Sequence, residues 1–373
     1  MTKTPLLIGL LLGSPLALAA CGGDDNQNPD AAPRVVVVAG DVASGPVGVL
    51  STLDPATQAV AINVGPAMAV GDDPIIRHFG TELFIVNRFD LHNVTILDDA
   101  TLALKEQRST GDNSNPQDVA AVGNKLYVAT YAGAGVTVIT RGSDALTTID
   151  LSADDPDGNP NCNSIYLAGG ALYVTCQLLD ENFAPRANGK VYVIDPATAA
   201  VKTSLTLTNK NPFSLLEEIP GGAPHAGDLV VSTVPDILSA TPNGCVERIA
   251  IGAAPAAAGC VVDHAGLGGY VTRMHVQLSE GLPMMWSAVT AADSFARGDL
   301  RGFDLGGTLW PALNAPAERI GDVVQCPSGE VVVTDTTMNA NGLRIYDSGG
   351  AEVTTAALPI GLRPLSQHGL VCY

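Results

Sequence analysis

The feature that most constrains this chain is an internal repeat with a period in the mid-forties. Asp54-Pro55-Ala56-Thr57 recurs as Asp195-Pro196-Ala197-Thr198, three repeats of 47 residues further on, with Asp98-Asp99-Ala100-Thr101 between them. Asp304 and Asp347, 43 apart, carry the register toward the C-terminus. Around each marker lie β-branched and aromatic runs of strand length: Glu82 to Asn87 before Val94 to Asp98, Lys125 to Thr130 before Gly135 to Thr140, and Ala171 to Thr175 before Lys190 to Asp195. A proline opens most units, in Asp73-Pro74, Asn115-Pro116, Asn159-Pro160, Asn211-Pro212 and Arg363-Pro364. Proline suits a strand's first residue, where no ladder donor is needed.

Each unit reads as four strands, and several are apolar on both faces, as in Val35 to Val38. Such strands suit sheets packed between two neighbouring sheets and exclude a sandwich with one wet face. The expected fold is therefore all-β, a propeller of four-stranded antiparallel blades. Seven units are counted: 34–65, 72–110, 115–152, 159–208, 211–263, 269–314 and 318–359. The first lacks an opening strand, and Leu365 to Tyr373 is a spare one, expected to close the ring as the innermost strand of the first blade. With Leu83 to Asn87 before Val94 to Thr101, and Leu172 to Val174 before Val191 to Thr198, the chain resembles the bacterial YVTN-type seven-bladed propellers over residues 34–373. Blades five and six depart most from that pattern, which keeps six or eight blades as alternatives. The fold implies no one function, because propellers host enzymes and binders alike.

The N-terminus reads as an address. Leu6 to Ala20 is an uncharged apolar stretch behind Lys3, too short and too Pro-interrupted for a spanning helix, so residues 1–20 are expected to be a signal peptide. Leu18-Ala19-Ala20-Cys21 resembles a bacterial lipobox, which implies acylation of Cys21. Residues 21–33 then form a polar, Gly-containing tether, reaching at most ~40 Å at ~3.3 Å per residue, before the propeller of residues 34–373. Gly22 rather than Asp follows the cysteine, and by the same resemblance this favours the outer membrane or cell surface over the inner membrane. Six cysteines remain, an even number in an exported chain. Cys162 with Cys176 and Cys245 with Cys260 sit on adjacent strands of two hairpins, and strand closure would bring Cys326 to Cys372.

Net charge is −19, from 19 Lys plus Arg against 38 Asp plus Glu, without basic blocks, so nucleic acid is not an expected partner. A monomer is expected, held to the membrane by lipid alone. Polar residues early in first strands, Arg77, Asp118, Asn163, Ser214, Arg273, Asp322 and Gln367, are expected to line the channel mouth, binding a small polar ligand or ordered waters. Long connections on the loop face carry Leu178, Leu179, Phe183, Ile237, Leu238 and Phe295, either as a recognition surface for a protein or small molecule or as packing. No cofactor is expected, and no two of the six histidines stand at metal-ligand spacing. His78, His275 and His368 fall on innermost strands, so a metal ion in the channel stays an alternative. There is no Gly-x-Ser-x-Gly and no phosphate-loop spacing. The reading this favours is a lipid-anchored binding or scaffolding module of the cell envelope rather than an enzyme. The alternative is a channel-centred, metal-dependent enzyme of lactonase or lyase type.

Overall fold

The computed structural model describes residues 34–41, 47–237, 239–279, 282–291, 298–306, 308, 320–364 and 367–373. They form seven antiparallel sheets arranged as a β-propeller. The first holds Val35–Gly40, Gly48–Asp54 and Ala59–Ala61, with Leu370–Cys372 as its inner strand. The inner strands of the other six are Pro74–Phe79, Pro116–Val122, Cys162–Ala168, Glu217–Glu218, Gly269–Ser279 and Ile320–Gln325, in chain order.

The Asp marker recurs because it makes the same turn each time. Asp54 Oδ1 accepts from the amides of Ala56 and Thr57 at 2.9 and 3.2 Å. Asp98, Asp195, Asp304 and Asp347 accept likewise from Thr101, Ala197, Gly306 and Gly349. A carboxylate that bonds its own backbone two or three residues on mimics a backbone turn, which is what a hairpin's outer corner needs. Gly40 answers a different demand, since a Cβ there would come within 2.0 Å of the Asp72 carbonyl oxygen.

Apolar clusters fill the spaces between successive sheets. One joins Val36, Val38 and Leu50 to Ile76, Leu83 and Ile85, another Tyr127 and Val136 to Ile165, Leu172 and Tyr192, and another Val35, Val37 and Leu370 to Val324, Val332 and Ile345. This sandwiching explains the two-faced apolar strands. Val35 to Val38 are at most 1% exposed, and each such valine contributes roughly 1.5 kcal/mol or more of burial energy.

The expected ring of seven uniform four-stranded blades does not stand. Five sheets have four strands and two have three. In the seventh, the segment beyond Gly342–Tyr346 pairs with it in isolated bridges rather than as a strand, Leu343 with Leu358 and Tyr346 with Glu352. For the sixth, residues 309–319 lie outside the described residues. The closing strand expected over Leu365 to Tyr373 is corrected to three residues, Leu370–Cys372, paired with Val35 to Val37. Disulfides join Cys162 to Cys176 and Cys245 to Cys260, as the hairpin reading expects, and Cys326 to Cys372, as strand closure expects. Among the described residues no helix is long and apolar enough to cross a membrane. The signal peptide, Cys21 and the tether lie outside the described residues.

Candidate functional site in the central channel

Six of the seven residues expected at the channel mouth are spent on holding inner strands together. Asp118, fully buried, receives a bidentate pair from Arg77, with Nε and Nη2 each at 2.8 Å. It also accepts from Ser164 Oγ at 2.8 Å, from the Ile165 amide at 3.0 Å and from the Val119 amide at 2.9 Å. Asp322 repeats the arrangement on the other side, with Arg273 Nε at 2.8 Å, the Val323 amide at 2.8 Å and the Leu370 amide at 2.9 Å. In each case an arginine from one sheet binds an aspartate of the next, and that aspartate binds a backbone amide of the sheet after. Asn163 donates to the Ser214 carbonyl at 3.3 Å and accepts from Thr175 Oγ1 at 2.9 Å. Ser214 Oγ accepts from the Ser232 amide at 2.9 Å. Gln367 is half-buried in the turn before Leu370.

Past this belt lies a cavity of about 110 Å³, lined in part by Arg77, Phe79, Tyr166, Glu217, Arg273 and His275. Phe79 ends its strand, and Cys372, which also lines the space, ends another. The cavity therefore sits toward the hairpin turns that lead from first to second strands, the end opposite the long second-to-third loops. Glu217 is its centre. Arg273 Nη1 donates to Glu217 Oε1 at 2.5 Å, Arg77 Nη1 stands 3.9 Å from the same oxygen, and His275 Nδ1 stands 3.9 Å from Oε2.

The electrostatics follow from that geometry. Burial alone would raise the Glu217 pKa, but the charged Arg273 and Arg77 oppose it, and the carboxylate is held below its usual range. For His275 burial dominates, opposed by Glu217 and reinforced by Arg273, so its pKa falls and the imidazole stays neutral. Arg77 and Arg273 remain charged, because their carboxylate partners overcome the burial that opposes their charge. At the rim, His78 Nε2 lies 3.0 Å from Asp99 Oδ2, and its ring stacks on Tyr373 at 4.2 Å.

Sequence reasoning missed Glu217. The available signal was a carboxylate pair, Glu217-Glu218, between Leu216 and Ile219 in what should be an inner strand. The loop-face residues divide. Leu178 and Leu179 are buried, which settles them as packing, and Ile237 is half-buried. Phe183 is 70% exposed and stacks on Tyr131 at 6.5 Å, while Leu238 and Phe295 lie outside the described residues.

One cluster among the described residues could hold a metal ion. Ligand atoms of Cys245, Glu247 and Cys260 lie within 4.8 Å of one another. With its two sulfurs joined in a disulfide, the cluster offers no thiolate. Glu247 meanwhile accepts from the amides of Thr208 and Asn209 at 2.7 and 2.8 Å and from Thr233 Oγ1 at 3.2 Å. The channel cavity does not suit a cation either, since two guanidiniums flank its central carboxylate.

No family model and no curated protein matches this chain. Solved structures do. A candidate 6-phosphogluconolactonase from Bacteroides uniformis aligns at 13% identity over 92% of this chain and 100% of that one, with a TM-score of 0.62. A second from Bacteroides fragilis aligns at 13% identity over 94% and 100%, with a TM-score of 0.61. A quinonprotein alcohol dehydrogenase-like protein from Bacteroides thetaiotaomicron aligns at 14% identity over 87% and 75%, with a TM-score of 0.58. At such identity the likeness establishes the fold. The YVTN-type assignment is accordingly withdrawn in favour of the coarser statement that the chain has a β-propeller fold. The preference for a binding module over an enzyme is also corrected. The cavity gathers a carboxylate, an imidazole and two guanidiniums, a set of groups able to move a proton and hold an anion.

Proposed function

We propose that this chain is a channel-centred propeller enzyme that hydrolyses a small anionic lactone. The observation that supports the reading most is Glu217, held among Arg77, Arg273 and His275 from two other sheets in one cavity. In this reading the guanidiniums of Arg77 and Arg273 bind the substrate's anionic group and the oxyanion that forms on its carbonyl. Neutral His275 takes a proton from water as that water attacks the ring carbonyl. The ring C–O bond then breaks, and the departing oxygen takes the proton from His275, giving the open hydroxy acid. Glu217 orients the imidazole and stabilises its charged form. A positioned base of this kind is worth about 10²- to 10⁴-fold. No metal step is included, because the cavity's donor set does not fit a cation.

The test is hydrolysis of 6-phosphogluconolactone and of its unphosphorylated analogue by the wild type, His275→Ala and Glu217→Gln. The reading expects faster turnover of the anionic substrate and a loss of about 10²-fold or more in His275→Ala. Equal rates in all three proteins would overturn it. We also propose that Cys21 carries a lipid anchor that holds a monomeric propeller at the outer membrane or cell surface. The lipobox-like sequence and the polar tether support that location.

A further inference from the structure

Between the fourth and fifth sheets lies a cleft of about 620 Å³, within the ~300–1,000 Å³ range of small-molecule sites. Its walls include Ala171, Tyr173, Val193, Lys202 and Thr203 from the outer three strands of the fourth sheet. The facing wall is Gly252 to Pro255, in the turn that joins Cys245–Ala250 to Ala256–Asp263 in the fifth. No inner strand lines it, so it is separate from the channel cavity.

Two departures from the repeat open the cleft. Tyr127 and Tyr173 are each the third residue of their sheet's second strand. Tyr127 is sealed by the next sheet, because its hydroxyl donates at 2.5 Å to the carbonyl of Pro196 in an Asp-Pro-Ala-Thr turn. At the corresponding turn the fifth sheet has Gly252-Ala253-Ala254-Pro255, and among the described residues the Tyr173 hydroxyl has no hydrogen-bond partner. Tyr173 is only 2% exposed, and a buried polar group left unpaired by the protein calls for a partner in the cleft.

The second departure is Ala171. The second and fourth sheets each carry a bulged lysine on the outer strand, Lys105 between the pairs Ile96–Glu106 and Leu97–Leu104, and Lys202 between Val193–Thr203 and Ile194–Val201. A bulge re-aims the side chain it carries. Lys105 is held by two carboxylates, Glu82 at 3.3 Å and Asp98 at 3.4 Å. Lys202 has Asp195 at 3.6 Å in the role of Asp98, but Ala171 opens its strand where Glu82 opens the matching one. The cleft therefore lacks one carboxylate of the repeat, beside an ammonium and a hydroxyl that can both donate to one. Asp228, the other carboxylate that acts on Tyr173, is bound by Arg248 and by the Ile251 amide.

We propose that this cleft binds a small organic carboxylate, whose anionic group takes the place that Glu82 fills in the second sheet and whose apolar body lies against Ala171, Val193 and Pro255. Lys202 and Tyr173 are its donors. The site does not depend on the lactonase reading.

The test is isothermal titration calorimetry of the full chain with benzoate and hexanoate, and with benzyl alcohol and hexanol as their neutral counterparts. The proteins are the wild type, Lys202→Met, Tyr173→Phe and Ala171→Glu. Phenylalanine already stands at the Tyr173 position in the second sheet, as Phe84, and Ala171→Glu supplies the missing carboxylate from the chain itself. The expected result is saturable binding of at least one carboxylate by the wild type, about tenfold tighter than its alcohol, weakened several-fold in Lys202→Met and Tyr173→Phe and lost in Ala171→Glu. The Lys202 side chain is half exposed, so its variant keeps the fold and decides the matter if Ala171→Glu does not fold. A wild type that binds neither carboxylate, or binds the alcohols as tightly, would overturn the proposal and assign the cleft to water. Carboxylate binding unchanged in Lys202→Met and Ala171→Glu would overturn it as well, since the anion would then sit elsewhere.

Discussion

Replacing Asp118 by Ala tests whether the belt, rather than a ligand, accounts for the polar residues of the inner strands. The side chain is fully buried and accepts two bonds from Arg77, one from Ser164 and one each from the amides of Ile165 and Val119. Removing it leaves a guanidinium, itself 9% exposed, without its carboxylate. Breaking one member of a buried ion pair costs about 3–5 kcal/mol, and each orphaned amide adds to that. Glu217, 3.9 Å from Arg77, recovers part of the loss, so a net cost of about 4 kcal/mol is expected. At ~2.1 cal/mol/K of unfolding entropy per residue, this is a fall in Tm of roughly 6 °C. Urea denaturation and calorimetry measure both quantities. The double variant Arg77→Met/Asp118→Leu removes both charges together and should recover at least half of the loss, because a buried pair is weak in net terms while a broken pair is costly. A single variant losing less than about 1 kcal/mol, or a double variant no more stable than the single, would refute the reasoning.

Three further outcomes are expected. Cys326→Ala/Cys372→Ala removes a bridge of sequence separation 46 and should cost about 4 kcal/mol by loop entropy, read as a lower denaturation midpoint that reductant no longer shifts. His264, bonded to Ser232 and the Asn243 carbonyl, has its pKa lowered by burial to about 4 from 6.5. The unfolded chain therefore binds the proton first, so stability is full above pH 6.5 and falls by roughly 3 kcal/mol as pH drops toward 4, a slope that His264→Asn should remove from the denaturation profile. Cys21→Ser should move the protein from the detergent phase to the aqueous phase on partitioning, and unchanged partitioning would refute the anchor.

Local chemistry was legible in the sequence and cross-channel chemistry was not. Asp54, Asp98 and Asp195 recur because each closes its own turn, so a one-dimensional period reports them faithfully. Cys162 and Cys176 face each other across one hairpin, and strand spacing alone pairs them. Asp118 differs. Its burial, its arginine and its amide partner come from three different sheets, and their relative stagger is set by packing between sheets. The repeat places Asp118 on an inner strand, but it does not say whether the carboxylate faces a ligand or a neighbour. Glu217 escaped for a related reason, since its strand is only two residues long and leaves no alternating pattern around it. Leu178 and Leu179 looked like exposed loop residues until the fold turned them inward.

The most direct test of the central claim is the pH profile of lactone hydrolysis by the wild type and by Glu217→Gln. The geometry holds His275 neutral below the usual histidine range, so turnover should stay constant as pH falls through 6.5 and decline only beneath it. Removing the carboxylate that raises the His275 pKa should shift that decline to still lower pH and reduce the maximal rate, with the fold intact by circular dichroism. Two results would contradict the account: no hydrolysis of any small lactone above the uncatalysed rate, or a Glu217→Gln profile that superimposes on the wild type in both height and midpoint.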